Sequence, residues 1–88
     1  MRKIEKKVWS KYFEDIKSGN KNFELRLANF RCSPGDILIL REWNPKTKKY
    51  TGRAVERKVN YVLKTKPLKF FTKQEIEKYG YQIIEFER

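Results

Sequence analysis

Residues 19–36 read G-N-K-N-F-E-L-R-L-A-N-F-R-C-S-P-G-D, and the fold is decided in this stretch. Phe23, Leu25 and Leu27 alternate with Asn22, Glu24 and Arg26, a period of two that predicts a half-buried strand over 22–27. Residues two apart on a strand project to the same side. Glu24 and Arg26 therefore share the polar face, with Lys21 in the turn that feeds it, so three charged groups meet within six residues. The Ser33-Pro34-Gly35-Asp36 turn follows, where Pro presets one dihedral and Gly permits the other. Beyond it, Asp36 to Trp43 is continuously apolar at its start, which predicts the most buried strand.

Upstream, residues 2–8 alternate loosely around Ile4 and Val8 and predict a first strand. Ser10 reads as a helix N-cap, with Trp9, Tyr12, Phe13 and Ile16 at helical spacing on one face and Gly19 as the stop. Downstream, N-P-K-T-K-K-Y-T-G-R at 44–53 reads as a hairpin connection. The returning strand, 53–64, alternates through Val55, Val59, Tyr61 and Leu63. Arg57 breaks its apolar parity and faces either a polar cleft or a bulge. Thr72 followed by Glu75 is a capping box, predicting a helix of about two turns to Tyr79 with Gly80 as its end. Alternation over Tyr81 to Glu87 predicts a last strand. The count is five strands and two short helices, an α+β class in one domain spanning 1–88.

Twenty-two Lys and Arg against eleven Asp and Glu leave a formal charge of +11 in 88 residues. Acids are outnumbered two to one, so pairing cannot neutralise the surface, and a polyanion such as RNA or DNA is the expected partner. The chain has no histidine and one cysteine, Cys32. Histidine-based acid–base catalysis, the Ser-His-Asp triad, the Cys-His pair and structural zinc are thereby excluded, and no internal disulfide can form. No metal or cofactor is expected. The apolar run Ile37 to Leu40 is far short of the roughly 20 residues a membrane helix needs. The charged N-terminus lacks a signal-peptide pattern, so a cytoplasmic monomer is the expectation.

Lys21, Glu24 and Arg26 are the candidate catalytic or anion-binding group. A desolvated lysine beside a carboxylate can move protons or hold phosphate, and a guanidinium can clamp a planar anion. The same three groups equally suit a salt-bridged strand surface. Lys46, Lys48, Lys49 and Arg53 surround Tyr50, interleaving cations with a ring that can stack a base, the pattern of single-strand binders. Arg41 and Arg57 on the flanking strands extend these candidate nucleic-acid contacts, as do Lys21 and Arg26. Lys64, Lys66, Lys69 and Lys73 form a second basic run beside Phe70 and Phe71, which read as packing groups. Trp9 and Trp43 read as core aromatics.

An aromatic helix ending at Gly19, then Lys21-x-x-Glu24-x-Arg26, Pro34-Gly35-Asp36 before an apolar strand, and Gly80-Tyr81-Gln82-Ile83-Ile84-Glu85-Phe86 resemble an ASCH domain of the PUA-like superfamily. Phe23-Glu24-Leu25-Arg26, Arg41-Glu42-Trp43 and Tyr50-Thr51-Gly52-Arg53 are similar to a small branch of it found in bacteria, archaea and phages. The resemblance implies a mixed β-barrel of about five strands, a helix at its mouth, and an RNA-binding cleft at Lys21, Glu24 and Arg26. Some ASCH proteins are similar to acetylcytidine amidohydrolases that use a lysine, a threonine and a glutamate, and another resembles a ribonuclease. Here position 24 is Glu where those amidohydrolases carry the threonine nucleophile, so an alkoxide at that position is excluded. The primary expectation is an RNA-binding module. The alternatives are a small hydrolase of a modified nucleoside or RNA, with Lys21 activating, Glu24 exchanging the proton and Arg26 holding, and a basic domain that docks an acidic protein.

Overall fold

The computed structural model describes residues 1–66 and 68–87. Five elements follow in order: β1 (Lys3–Trp9), α1 (Ser10–Lys17), β2 (Ile37–Asn44), β3 (Lys49–Lys58) and α2 (Lys73–Tyr79). The strands form one sheet in the order β1-β2-β3, with β1 parallel and β3 antiparallel to the central β2. The parallel pair needs a long crossover, and residues 10–36, including α1, supply it.

Period-two alternation sorts β1 into Ile4, Lys6 and Val8 on one side and Lys3, Glu5, Lys7 and Trp9 on the other, and only the first side is covered. α1 lies on that side. Phe13 and Ile16, three apart on its apolar stripe, bury against Val8 and Leu40, with Leu38 and Val55 packed around them. This core is small, with Phe13 and Leu40 its largest fully buried side chains. The N-cap lies one residue earlier than expected: it is Trp9, in extended backbone and without a side-chain bond, and Ser10 is already helical. Its end agrees with expectation, because Gly19 at φ +85° donates its N–H to the Ile16 carbonyl at 3.1 Å.

The turn before β2 is tied down by Asp36. Its carboxylate accepts the Ser33 N–H at 2.9 Å and the Arg2 N–H at 3.1 Å, and its backbone N–H reaches the Ser33 carbonyl at 3.0 Å. The two backbone donors, Ser33 first, hold its carboxyl below the ordinary range. α2 forms as its capping box requires, with Thr72 and Glu75 each accepting the other's backbone N–H, and ends at Gly80.

The five-stranded PUA-like barrel expected from the resemblance is not formed. Among the described residues the sheet has three strands and open edges, and 22–27, 60–64 and 81–87 lie outside it, while Val59, just past β3, exchanges backbone bonds of 2.8 Å with Asp36 and Gly35. Alternation describes which side chains share a face, but a strand exists only where a neighbour accepts its N–H groups and supplies carbonyls. Instead of a closed wall these segments border a recess of about 2400 Å³. Leu25, Leu27, Tyr61 and Ile84 stand largely exposed there, so the half-buried strand expected over 22–27 is not formed. β2 is the central strand but not a sealed one, since only Leu40 and Glu42 are buried in it.

Of the two alternatives for Arg57, a polar cleft or a bulge, the bulge lies elsewhere. Arg57 pairs in register with Leu38, whereas the register shifts between Arg41 and Trp43 of β2. There Ala54 faces Arg41 and Tyr50 faces Trp43, so Thr51, Gly52 and Arg53 together oppose the single residue Glu42. Gly52, at φ +95°, makes this bulge possible and turns Thr51 and Arg53 to the same side as Glu42.

Candidate functional site

Along the free edge of β1, residues of α1 and of 21–26 enclose a cleft of about 560 Å³. Its lining includes Lys7, Trp9, Tyr12, Lys21, Glu24 and Arg26, so the three charged residues singled out in the sequence do border a concavity. Backbone bonds at the helix end bring Lys21 there, its N–H donating to the Asp15 carbonyl at 2.9 Å. Asn22 helps close the same turn, its amide donating to the Gly19 carbonyl at 2.8 Å.

The three groups then separate. Arg26 Nε donates to Glu24 Oε2 at 2.6 Å, and Arg26 Nη2 donates to the Lys7 carbonyl, fastening the segment to the edge of β1. Lys21 stands outside that pair, its ammonium 5.1 Å from the ring centroids of both Tyr12 and Phe23. The surface-pair reading therefore describes Glu24 with Arg26, and Lys21 presents its charge to the cleft between two rings.

The candidate contacts on the hairpin do not all face one way. Lys46, Lys48 and Lys49 are exposed at the turn, shaped by Asn44, whose side-chain oxygen accepts the Lys46 N–H at 2.9 Å and whose carbonyl accepts the Lys48 N–H at 2.7 Å. Arg41 stacks on Tyr50, its guanidinium carbon 4.1 Å from the ring centroid. Arg53 and Arg57 are engaged in holding the fold. Arg53 donates Nε and Nη2 to the two Glu42 oxygens at 2.7 and 2.9 Å, and Nη2 also reaches Glu14 at 3.0 Å. Thr51 donates to the same Glu42 carboxylate at 2.5 Å. Glu42 is buried, and the Arg53 guanidinium first, then the Thr51 hydroxyl, hold its carboxyl at about 2 against the opposing effect of burial. Arg57 Nη2 donates to the Ile16 carbonyl at 3.1 Å, a cation at the C-terminus of α1.

Residues 4–83 match the family described as "Domain of unknown function (DUF3850)". The chain belongs to the DUF3850 family. Curated proteins and solved structures give no match.

In this DUF3850 domain two cleft residues are ones the sequence placed on the apolar face of the first helix and not in a site. Trp9 is 50% exposed and Tyr12 43%, and both line the cleft rather than the core. The helical spacing of Trp9 with Phe13 and Ile16 suggested packing, but Trp9 is the last residue of β1. Its strand parity with Lys3, Glu5 and Lys7 was the signal for the outward face. The lone cysteine, Cys32, is a half-buried free thiol. Among the described residues no three acidic or cysteine side chains gather as a metal site, and no helix is long and apolar enough to cross a membrane.

Proposed function

We propose that this chain is a nucleic-acid-binding module, with RNA as its ligand, that takes a base or nucleotide end into the cleft beside β1. One observation carries the reading. Half-exposed Trp9 and Tyr12 share a cleft with the cations Lys7, Lys21 and Arg26. Every base has a face that stacks on an aromatic ring, worth about 1–3 kcal/mol per base, and lysines beside it meet the phosphate. The net charge of +11 attracts a polyanion to the whole surface, and the exposed lysines of the 45–48 turn add contacts beyond the cleft. The resemblance to ASCH domains points to the same ligand class. The hydrolytic alternative is less favoured, because Arg26 already occupies the carboxylate of Glu24 that would have to exchange a proton.

Titration of a labelled RNA strand at several salt concentrations tests the proposal. The logarithm of affinity falls linearly with that of salt, by about 0.7 per phosphate contact for a single strand. Lys21→Ala lowers affinity and removes about one contact from that slope. A salt-independent signal, or no binding at low salt, refutes it.

A further inference from the structure

The face of the sheet opposite α1 carries an aromatic row. Trp9 of β1 pairs with Trp43 of β2, and Trp43 with Tyr50 of β3, so three aromatic residues are cross-strand neighbours in one row. Val8, Leu40 and Val55 turn toward α1; Trp9 is one residue from Val8 and Trp43 three from Leu40, odd steps that put both on the outer side, and Tyr50 pairs with Trp43 there. The neighbouring row is Lys7, Arg41 and Ala54. Its two cations lean over the rings, Lys7 Nζ 4.1 Å from the Trp43 centroid and the Arg41 guanidinium 4.1 Å from that of Tyr50.

A solvent-facing sheet surface ordinarily carries polar residues. Here two rings of the row, Trp9 at 50% and Tyr50 at 46%, are half in water. With strands about 4.8 Å apart the row is about 10 Å long. It begins at Trp9, which also lines the cleft, and ends at Tyr50, beside the lysines of the 45–48 turn.

We propose that this outer face is a stacking platform for single-stranded nucleic acid, on which two or three successive bases lie over Trp9, Trp43 and Tyr50. The platform rests on the reading of the cleft, since the strand whose end enters the cleft continues across the sheet. Cations at the rings are what make a nucleic acid the occupant. Lys7 and Arg41 leave the ring faces for the phosphates, and the bases take their places. The ligand is a single strand because a duplex keeps its base faces inside its own stack and offers the platform only phosphates.

The test compares a labelled oligouridine strand, a duplex of the same length and heparin, binding to the wild type and to Trp43→Leu, Tyr50→Leu and Lys21→Ala. Removing one ring lowers affinity for the strand about 5- to 150-fold, with duplex and heparin binding and the salt slope unchanged. Strand affinity at the wild-type level in both Leu variants overturns the platform, and a simultaneous loss in Lys21→Ala leaves the cleft standing. Absence of strand binding by the wild type overturns both. If Trp43→Leu does not fold, ultraviolet crosslinking of a bromouridine strand to the wild type decides. Adducts at Trp43 or Tyr50 support the platform, and adducts confined to Tyr12 and Phe23 overturn it. A wild-type dimer that Trp43→Leu or Tyr50→Leu converts to a monomer of unchanged strand affinity assigns the row to self-association and also overturns it.

Discussion

Replacing Glu42 by Gln isolates the charge at the centre of the bulge. Glutamine keeps the shape and one acceptor, but its NH2 group now meets Arg53 Nη2, which donates to Glu42 Oε2 at 2.9 Å. A carboxyl held at about 2 against an ordinary 4.5 prefers its ionised form by at most about 3 kcal/mol. Arg53 is 45% exposed and shares its charge with water, so the expected loss is about 1–2 kcal/mol. That is a sizeable part of the roughly 5–10 kcal/mol available to a domain this small. It corresponds to a fall in Tm of about 5–15 °C. The pH dependence follows from the sign of the shift. A carboxyl depressed in the folded state contributes stability in full above about 4.5 and loses it as pH falls toward about 2. Thermal melts of the two proteins should therefore separate at neutral pH and converge by about pH 2, where the wild type becomes protonated and resembles the variant. Melting curves that differ by the same amount at pH 7 and at pH 2, or that coincide at pH 7, refute the assignment.

Three further outcomes follow from the packing. Leu40→Ala opens a cavity among Val8, Phe13 and Ile16 and should cost about 2–4 kcal/mol in denaturant titrations. The Cβ added by Gly52→Val meets no neighbouring atom, but a branched side chain is forced to φ +95°, for a loss of about 1–3 kcal/mol, and a wild-type denaturation midpoint would show that the bulge is not fixed there. Thr72→Ala removes the capping box of a helix that buries no side chain. Its cost of about 1 kcal/mol should appear as faster amide exchange at 73–79 without a change in the global melting midpoint.

Local chemistry was legible wherever the signal lies within a few residues. Gly19 and Gly80 end their helices, Thr72 and Glu75 cap α2, and Asp36 closes the Ser33-Pro34-Gly35 turn, each through bonds between residues two to four apart or a single dihedral. The charged residues on one side of the cleft, Lys21, Glu24 and Arg26, were visible for the same reason, since they lie within six consecutive residues, whereas Lys7, Trp9 and Tyr12 close it from β1 and α1. The Glu24–Arg26 pair was one of the readings the sequence offered, but the second partner of Arg26, the carbonyl of Lys7 on another element, was not. The partners of Arg53 were less legible still. In sequence it is one cation in a lysine-rich hairpin, and its engagement with Glu42 and Glu14 spans 11 and 39 residues.

Composition and local pattern alone determined the large positive charge, the exclusion of histidine chemistry and of an internal disulfide, and the positions of both helices, since these depend on residue types and short spacings. Tertiary structure decided which alternating segments became strands and what each face meets. Residues 22–27 and 81–87 have the pattern of strands without a ladder, and Trp9, Trp43 and Tyr50 become neighbours through register alone. A strand's hydrogen bonds are made to another part of the chain, so its partner, and with it the surface it builds, is not encoded in its own period.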